Sequence, residues 1–489
     1  MPTTLYATQY EAFEWSYTSL RPYADPFNEV ELDVILTHES GREWRVPAYW
    51  AGGQEWRVRF APPLPGRYQA APVFSDGSQP DGAELRAAPY AGSDPLLARG
   101  PLQAAPGGRH LQFADGTPFF WLGDTWWMGL CSRLGWPEEF QQLTAWRAAQ
   151  GFTVVQIVAG LYPDMPGFDP RGANEAGFPW EPDYARIHPA YFDMADLRIR
   201  WLARAGLIPC IVGCWGYYLP LLGVEKMKKH WRYLVARWGA YPVVWCLAGE
   251  ANMPYYLSED KTGDEQRQKE GWTELARYVR AIDPYHRLIT IHPTQVGRDQ
   301  VLDDRLLDLN MLQTGHDGYA SIPFTLREVR RCVARTPTMP VIDSEVCYEG
   351  ILEGSREEVQ RFMFWSCMLS GAAGHTYGAN GIWQVNLPDQ PYGPSPWGAS
   401  WGDRPWLDAM RLPGSAHVAL GKRLLERFPW QHFQPHQEWV EPSSNDNEPV
   451  APLAAGIPGK VRMIYLPRPI LPWATPVTVK GIEQGVRYS

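Results

Sequence analysis

From residue 110 onward, apolar runs of strand length alternate with helical stretches, and this happens eight times. The runs lie at 119–125, 152–159, 207–215, 243–250, 288–294, 307–316, 339–350 and 372–383. Amphipathic stretches at 137–150, 188–205, 223–239, 264–282, 324–334 and 355–369 separate most of them. The connection after the fifth run is short, and its helix is doubtful. Strands that are apolar along their whole length are buried on both faces, which is the mark of parallel strands joined by crossover helices. Eight such units predict a closed (β/α)8 TIM barrel over residues 110–430. A doubly wound open sheet is the alternative. It usually carries a glycine-rich phosphate loop after its first strand, and LGDTWW at 122–127 is not one.

The flanks read differently. Residues 1–90 hold short alternating segments at roughly ten-residue spacing, such as EVELDVILTH and EWRVRF, and predict a small immunoglobulin-like β-sandwich. Residues 91–109 are rich in Ala, Gly and Pro and read as a linker. A Pro/Gly/Trp-rich loop at 384–400 precedes a last helix at 403–427. Within 431–489, KVRMIYL and ATPVTVK return to strand patterning, as a small or partial C-terminal β-module.

Composition narrows the partners. The net charge of −9 is spread without long runs, which argues against nucleic acid and anionic membrane. The N-terminus shows no signal peptide and no segment has transmembrane length, so a cytoplasmic location is expected. The seven cysteines are scattered. Cys210, Cys214, Cys246 and Cys367 sit in apolar runs and read as core thiols. The 24 tryptophans are many for 489 residues. They fit either a large aromatic core or a site for flat, semi-apolar ligands such as sugars. A homo-oligomer is compatible with the sequence.

Active sites of such barrels lie at the C-terminal strand ends. Asp124, Trp126 and Trp127 end the first run, and Gln156 lies in the second. Trp215 ends the third, Glu250 and Asn252 the fourth, His292 the fifth and His316 the sixth. Glu345 and Tyr348 end the seventh; His375, Tyr377, Asn380 and Trp383 belong to the eighth. A carboxylate at the end of a buried strand needs partners or a chemical role. Strands four and seven face each other across a barrel mouth, so Glu250 and Glu345 are a candidate catalytic pair. Glycoside hydrolysis needs two such groups, one retaining its proton near neutral pH and one ionised. Asp124 is either a sugar ligand or a cap of the first loop. Asp343, two residues before Glu345, is expected on the same strand face, as a core residue or a sugar ligand. Trp126, Trp127, Trp215 and Trp383 are candidates for stacking on sugar faces, and any of them also suits a core. His292, His316, Tyr348 and Asn252 are candidates for binding hydroxyls or orienting a carboxylate. His292, His316 and His375 together also allow a zinc reading, although no HxH or HExxH spacing is present. No cofactor is expected.

The segments PFFWLGDTWWMGL, GFTVVQIV, CLAGEAN, LNMLQTGH and PVIDSEVCYEG resemble the apiosidase-like glycoside hydrolase family. YEAFEWSYTSL through WRVPAYW resembles the β-sandwich fused ahead of such barrels, and MIYLPRPILPWATPVTVKG the module that follows them. The resemblance implies a four/seven retaining barrel, with Glu250 as acid/base and Glu345 as nucleophile. It implies double displacement on a carbohydrate, with exo action expected on plant or microbial oligosaccharides or glycosides. Apiosidase-type members carry Asp at the position of Glu250, so a different sugar or linkage is expected here. A non-catalytic carbohydrate-binding barrel and a metal-dependent barrel hydrolase are the rival classes.

Overall fold

The computed structural model describes residues 3–467, 476–482 and 485. The eight runs form one parallel sheet of Trp121–Thr125, Val154–Val158, Ile208–Val212, Val244–Cys246, Ile289–Thr290, Asn310–Gln313, Val341–Glu345 and Gly374–Tyr377. Consecutive strands pair in order from the first to the fifth, and from the sixth through the eighth back to the first. The fifth and sixth close the ring with little ladder. The Asp308 N–H donates to the Ile289 carbonyl at 2.8 Å, and the Thr290 hydroxyl to that of Leu309 at 2.9 Å. This is a TIM barrel, its strands covered by crossover helices as their apolar patterning demands.

Helices occupy the expected positions at Glu138–Gln150, Pro189–Arg204, Val224–Trp238, Lys261–Ile282, Ile322–Ala334 and Glu357–Leu369. After the fifth strand there are only two 3-10 turns, Gly297–Asp299 and Asp304–Leu306. The single helix expected at 403–427 is two, Trp406–Ala409 and Pro413–Leu425. The break falls at Pro413, whose missing N–H suits a helix start. No helix among the described residues is long and apolar enough to cross a membrane. All seven cysteines are free and buried.

Ahead of the barrel, a five-stranded and a three-stranded sheet pack as a β-sandwich whose last strand is Ala83–Ala88. The stretch read as a linker is structured. It holds the short helix Pro95–Ala98 and the strand Leu102–Ala104, which pairs with Leu111–Phe113. At the C-terminal end, Gln434–Pro435, Leu453–Ile457 and Val461–Tyr465 form a small sheet, and Val440–Glu441 pairs with Thr478–Val479. Ala474 and Thr475 of the expected strand ATPVTVK lie outside the described residues.

Sandwich and barrel share one apolar core, and buried charges also join them. Asp196 on the second barrel helix accepts from Arg59 of the sandwich at 2.8 Å, from Arg237 at 2.9 Å and from the Trp238 indole at 2.6 Å. Nearby, Arg232 reaches Asp33 of the sandwich at 2.6 Å, and the Tyr233 hydroxyl donates to the Trp50 carbonyl. Burial opposes the charge on Asp196, yet the two guanidiniums outweigh it and lower its pKa. Removing one member of such a buried set leaves the others uncompensated. Asp196→Asn should therefore cost about 3–5 kcal/mol of stability, read as a lower denaturant midpoint. Removal of the surface carboxylate in Glu55→Ala, which breaks the pair with Arg57, should cost less than about 1 kcal/mol.

Candidate active site

The fourth strand ends at Cys246, and the chain then turns so that Glu250 stands at a left-handed φ of 41°. That conformation is uncommon for a residue with a long side chain. It is held by neighbours on both sides. Gly216 N–H donates to the Gly249 carbonyl at 2.7 Å, and Ala251 N–H to that of His292 at 3.1 Å. Gly249 has to be glycine: a Cβ there would fall 2.2 Å from the Trp215 ring. The indole thus lies directly over the backbone and donates to Glu250 Oε2 at 3.1 Å. Gln313, the last residue of the sixth strand, donates to Oε1 at 3.0 Å. Among the described residues, no cation touches this carboxyl. Burial, followed by the charge of Glu345, raises its pKa against the pull of Gln313.

Glu345 is the last residue of the seventh strand, and a β-bulge aims it. Leu312 pairs with Asp343, but Gln313 pairs with Glu345, so Ser344 is an extra residue in the ladder. Strict alternation would put Asp343 and Glu345 on one face. The bulge separates their surroundings. Asp343 accepts from the Thr314 hydroxyl at 3.0 Å and the Cys367 thiol at 3.5 Å, and burial pushes its pKa up to about 7. Glu345 turns to the rim. Its Oε2 lies 3.1 Å from His292 Nε2 and its Oε1 lies 3.0 Å from His316 Nε2. Burial opposes ionisation, but the two imidazoles outweigh it and hold the carboxyl at about 2. Ser344, the bulged residue, meets His292 Nδ1 at 3.0 Å and donates to the Leu312 carbonyl. The Trp127 indole donates to the Tyr348 hydroxyl at 2.9 Å.

The two glutamates line one cavity of about 270 Å³. Trp127, Trp215, His316, Tyr348 and Trp383 also line it. Tyr348 stacks on His316 at 5.2 Å and on Trp383 at 5.9 Å. His292 stands just behind, against Glu345. The remaining wall comes from loops: Asp164 after the second strand, Tyr256 after the fourth, and Trp397 and Trp401 after the eighth. None of these four was singled out by the sequence reading, nor was Gln313. Gln313 had a signal, since it ends a strand beside Thr314 and His316. The loop residues had none beyond the tryptophans of 397–401, because they lie several residues past a strand end.

Seven of the strand-end residues lie elsewhere. Asp124 is fully buried and accepts from Arg147 at 2.6 Å and from the Trp126 indole at 2.8 Å. Trp126 packs edge-on against Phe140 in the helical layer. Tyr377 continues this internal network, its hydroxyl donating to Glu349 at 2.5 Å. Gln156 donates to the Ser344 carbonyl at 3.0 Å and so braces the bulge from inside the barrel. Asn252 bonds Gln300 through its backbone and does not line the cavity. Asn380 donates to the Trp401 carbonyl at 2.6 Å. His375 is buried against Phe364, with both ring nitrogens unpartnered and its pKa pushed down to about 3. The three histidines therefore do not converge, and among the described residues no cluster of three or more His, Cys, Asp or Glu is placed to hold a metal ion.

One carboxyl is thus held ionised and one is biased to keep its proton, in the same cavity. For Glu345 the folded pKa of about 2 lies below the ordinary 4.5. The folded state therefore binds this proton less tightly than the unfolded chain, and the stabilisation is complete above 4.5 and lost as pH falls through about 2. The stability difference between the protein and Glu345→Gln should shift in favour of the protein as pH rises across that window. A difference independent of pH, measured by denaturant unfolding, would contradict it.

The family model of the apiosidase-like catalytic domain matches residues 105–432, and a domain of unknown function (DUF5060) matches residues 6–70. Among solved structures, the chain is similar to a glycoside hydrolase family 5 protein from Bacteroides vulgatus. The identity is 25%, the TM-score 0.61, and the match covers 73% of this chain and 79% of that one. A putative glycoside hydrolase from the same organism shares the fold at 18% identity and a TM-score of 0.63, over 93% of this chain and 83% of that one. No curated protein matches the chain. With two thirds of its length under that model, on a glycoside hydrolase-type TIM barrel, this chain belongs to the apiosidase-like family.

Proposed function

We propose that the protein hydrolyses O-glycosidic bonds with retention, Glu345 serving as nucleophile and Glu250 as acid/base. The observation that carries this reading is the opposite bias of two carboxyls in one cavity. The imidazoles of His292 and His316 keep Glu345 ionised, while burial and Glu345 itself favour the protonated form of Glu250. Two carboxyls pushed apart by their surroundings are what acid and nucleophile roles require. In the first step a Glu345 oxygen bonds the anomeric carbon, the glycosidic C–O bond breaks, and Glu250 gives its proton to the leaving oxygen. In the second, Glu250 takes a proton from water as the water oxygen bonds the anomeric carbon and the Glu345 ester bond breaks. His292 and His316 orient Glu345, and Trp215 and Gln313 orient Glu250.

Exo action fits the size of the site. The cavity of about 270 Å³ is small beside the ~300–1,000 Å³ of pockets that enclose drug-sized ligands. The loop carrying Trp397 and Trp401 walls one side. Such a space suits one sugar ring at a chain end, and its indoles supply apolar faces for the ring. Oligosaccharides or glycosides of plant or microbial origin are the substrate class.

Glu345→Ala should lower turnover of an activated aryl glycoside by about 10⁴-fold or more. Azide should restore turnover in Glu250→Ala and give a glycosyl azide. The first-formed sugar should keep the anomeric configuration of the substrate by NMR; an inverted product would remove the retaining assignment. Because Glu250 must be protonated and its pKa is raised above the ordinary 4.5, kcat/KM should fall on an alkaline limb that lies above 4.5. That alkaline limb should vanish in Glu250→Ala with a leaving group that needs no proton.

A further inference from the structure

Asp164 is a third carboxylate in the same cavity, and no step of the proposed hydrolysis uses it. It sits six residues beyond the second strand at a left-handed φ of 54° and is 8% exposed. Two loops from other strands hold its oxygens. The Tyr256 hydroxyl donates to Oδ1, and the Trp401 indole donates to Oδ2 at 3.0 Å. Arg171 is the nearby cation, but its guanidinium lies on Asp169, at 2.8 Å, and on the Tyr392 carbonyl, at 2.9 Å. It meets Asp164 only at the backbone carbonyl. A carboxylate offers about four lone-pair positions. Two are taken by protein donors, and the group lines the cavity, where further donors would have to come from the occupant. Burial raises the Asp164 pKa against those two donors, as an under-solvated carboxylate requires.

The charge inventory of the walls is one-sided. Asp164, Glu250 and Glu345 line the cavity, and among the described residues no lysine or arginine does. Among the described residues, His316 is the one lining group able to carry positive charge, and it already faces Glu345 at 3.0 Å. An anionic group brought into this space would lose its water, meet like charge and find no guanidinium or ammonium to pair with.

We propose that Asp164 is a specificity-determining residue. Its carboxylate accepts hydrogen bonds from hydroxyls of an uncharged sugar and, with the ionised Glu345, excludes rings that carry a carboxylate, sulfate or phosphate. This rests on the reading of the cavity as a glycoside site. Trp401 and Tyr256 act as the clamp that presents Asp164, so charge and clamp are separable by mutation.

The test compares kcat/KM for nitrophenyl glycosides of neutral hexoses and pentoses with those of the matching uronides. The full-length protein, Asp164→Asn and Trp401→Phe are compared. The protein should prefer its best neutral glycoside over any uronide by at least about 100-fold. Asp164→Asn should lose about 10- to 100-fold on that neutral substrate and narrow the neutral-to-uronide ratio. Trp401→Phe loosens the clamp but keeps the charge, and should leave the ratio unchanged. A purely structural Asp164 would move both variants alike. A uronide as best substrate, or an unchanged ratio in Asp164→Asn, overturns the proposal while leaving hydrolysis intact. Calorimetric binding of methyl glycosides and methyl uronides to Glu345→Gln separates the two readings. Neutral binding that weakens in Glu345→Gln/Asp164→Asn, without any turnover by the parent protein, would sustain this inference and sink the hydrolytic one. No Asp164-dependent preference in either assay overturns it.

Discussion

A carboxylate carried out of water into a dense interior must find a cation, a set of donors or a proton. This constraint divides the acidic residues of the barrel into two kinds. Asp124 is matched by Arg147, and Asp196 by Arg59 and Arg237. These pairs are closed on themselves and hold the first strand to its helix and the sandwich to the barrel. Glu250 and Asp164 have donors but no guanidinium on their carboxyls. Glu345 has only imidazoles. The three carboxyls that line the cavity have no guanidinium or ammonium on them, whereas Asp343, also without a cation, is turned away from it onto Thr314 and Cys367. Those three are the ones left able to exchange a proton, form a bond or accept a ligand.

The backbone makes that division possible. Gly249 lets the Trp215 ring lie over the chain beside Glu250. One extra residue at Ser344 turns Glu345 toward the rim and leaves Asp343 with Thr314 and Cys367. Gln156, reaching across the barrel to the Ser344 carbonyl, braces the bulge. Each is a small local departure from regular strand geometry, and each re-aims one side chain. The sandwich contributes at a distance: none of its described residues lines the cavity, but it shares the apolar core and the charge on Asp196.

Most of the architecture was legible in the sequence because it depends on patterns that repeat. Eight apolar runs buried on both faces, and turns at Gly and Pro, predict the barrel without knowledge of any contact. The strand-end rule then picked out Glu250, Glu345, Trp127, Trp215, His316, Tyr348 and Trp383, all of which line the cavity. The same rule also brought in Asp124, Trp126, Asn252, His375 and Tyr377, which do not. A residue near a strand end can point along the rim, into the barrel or out to the helices. Periodicity cannot choose among these where a bulge or a left-handed residue breaks the count. The short elements within 91–109 were invisible for a related reason. A three-residue strand such as Leu102–Ala104 is too short to show a period, and its partner supplies the order.

The sequence by itself determined the fold class, the flanking β-domains and the two glutamates at the ends of strands four and seven, because burial pattern and strand position are local properties of a chain. Only the tertiary structure decided how those glutamates differ. His292 and His316 come to Glu345 from the fifth and sixth strands, Trp215 and Gln313 to Glu250 from the third and sixth, and Asp164 from a loop held by two others. The ionisation of a carboxyl depends on what stands within a few ångströms of it, and that is set by closure of the barrel and not by the order of residues along it.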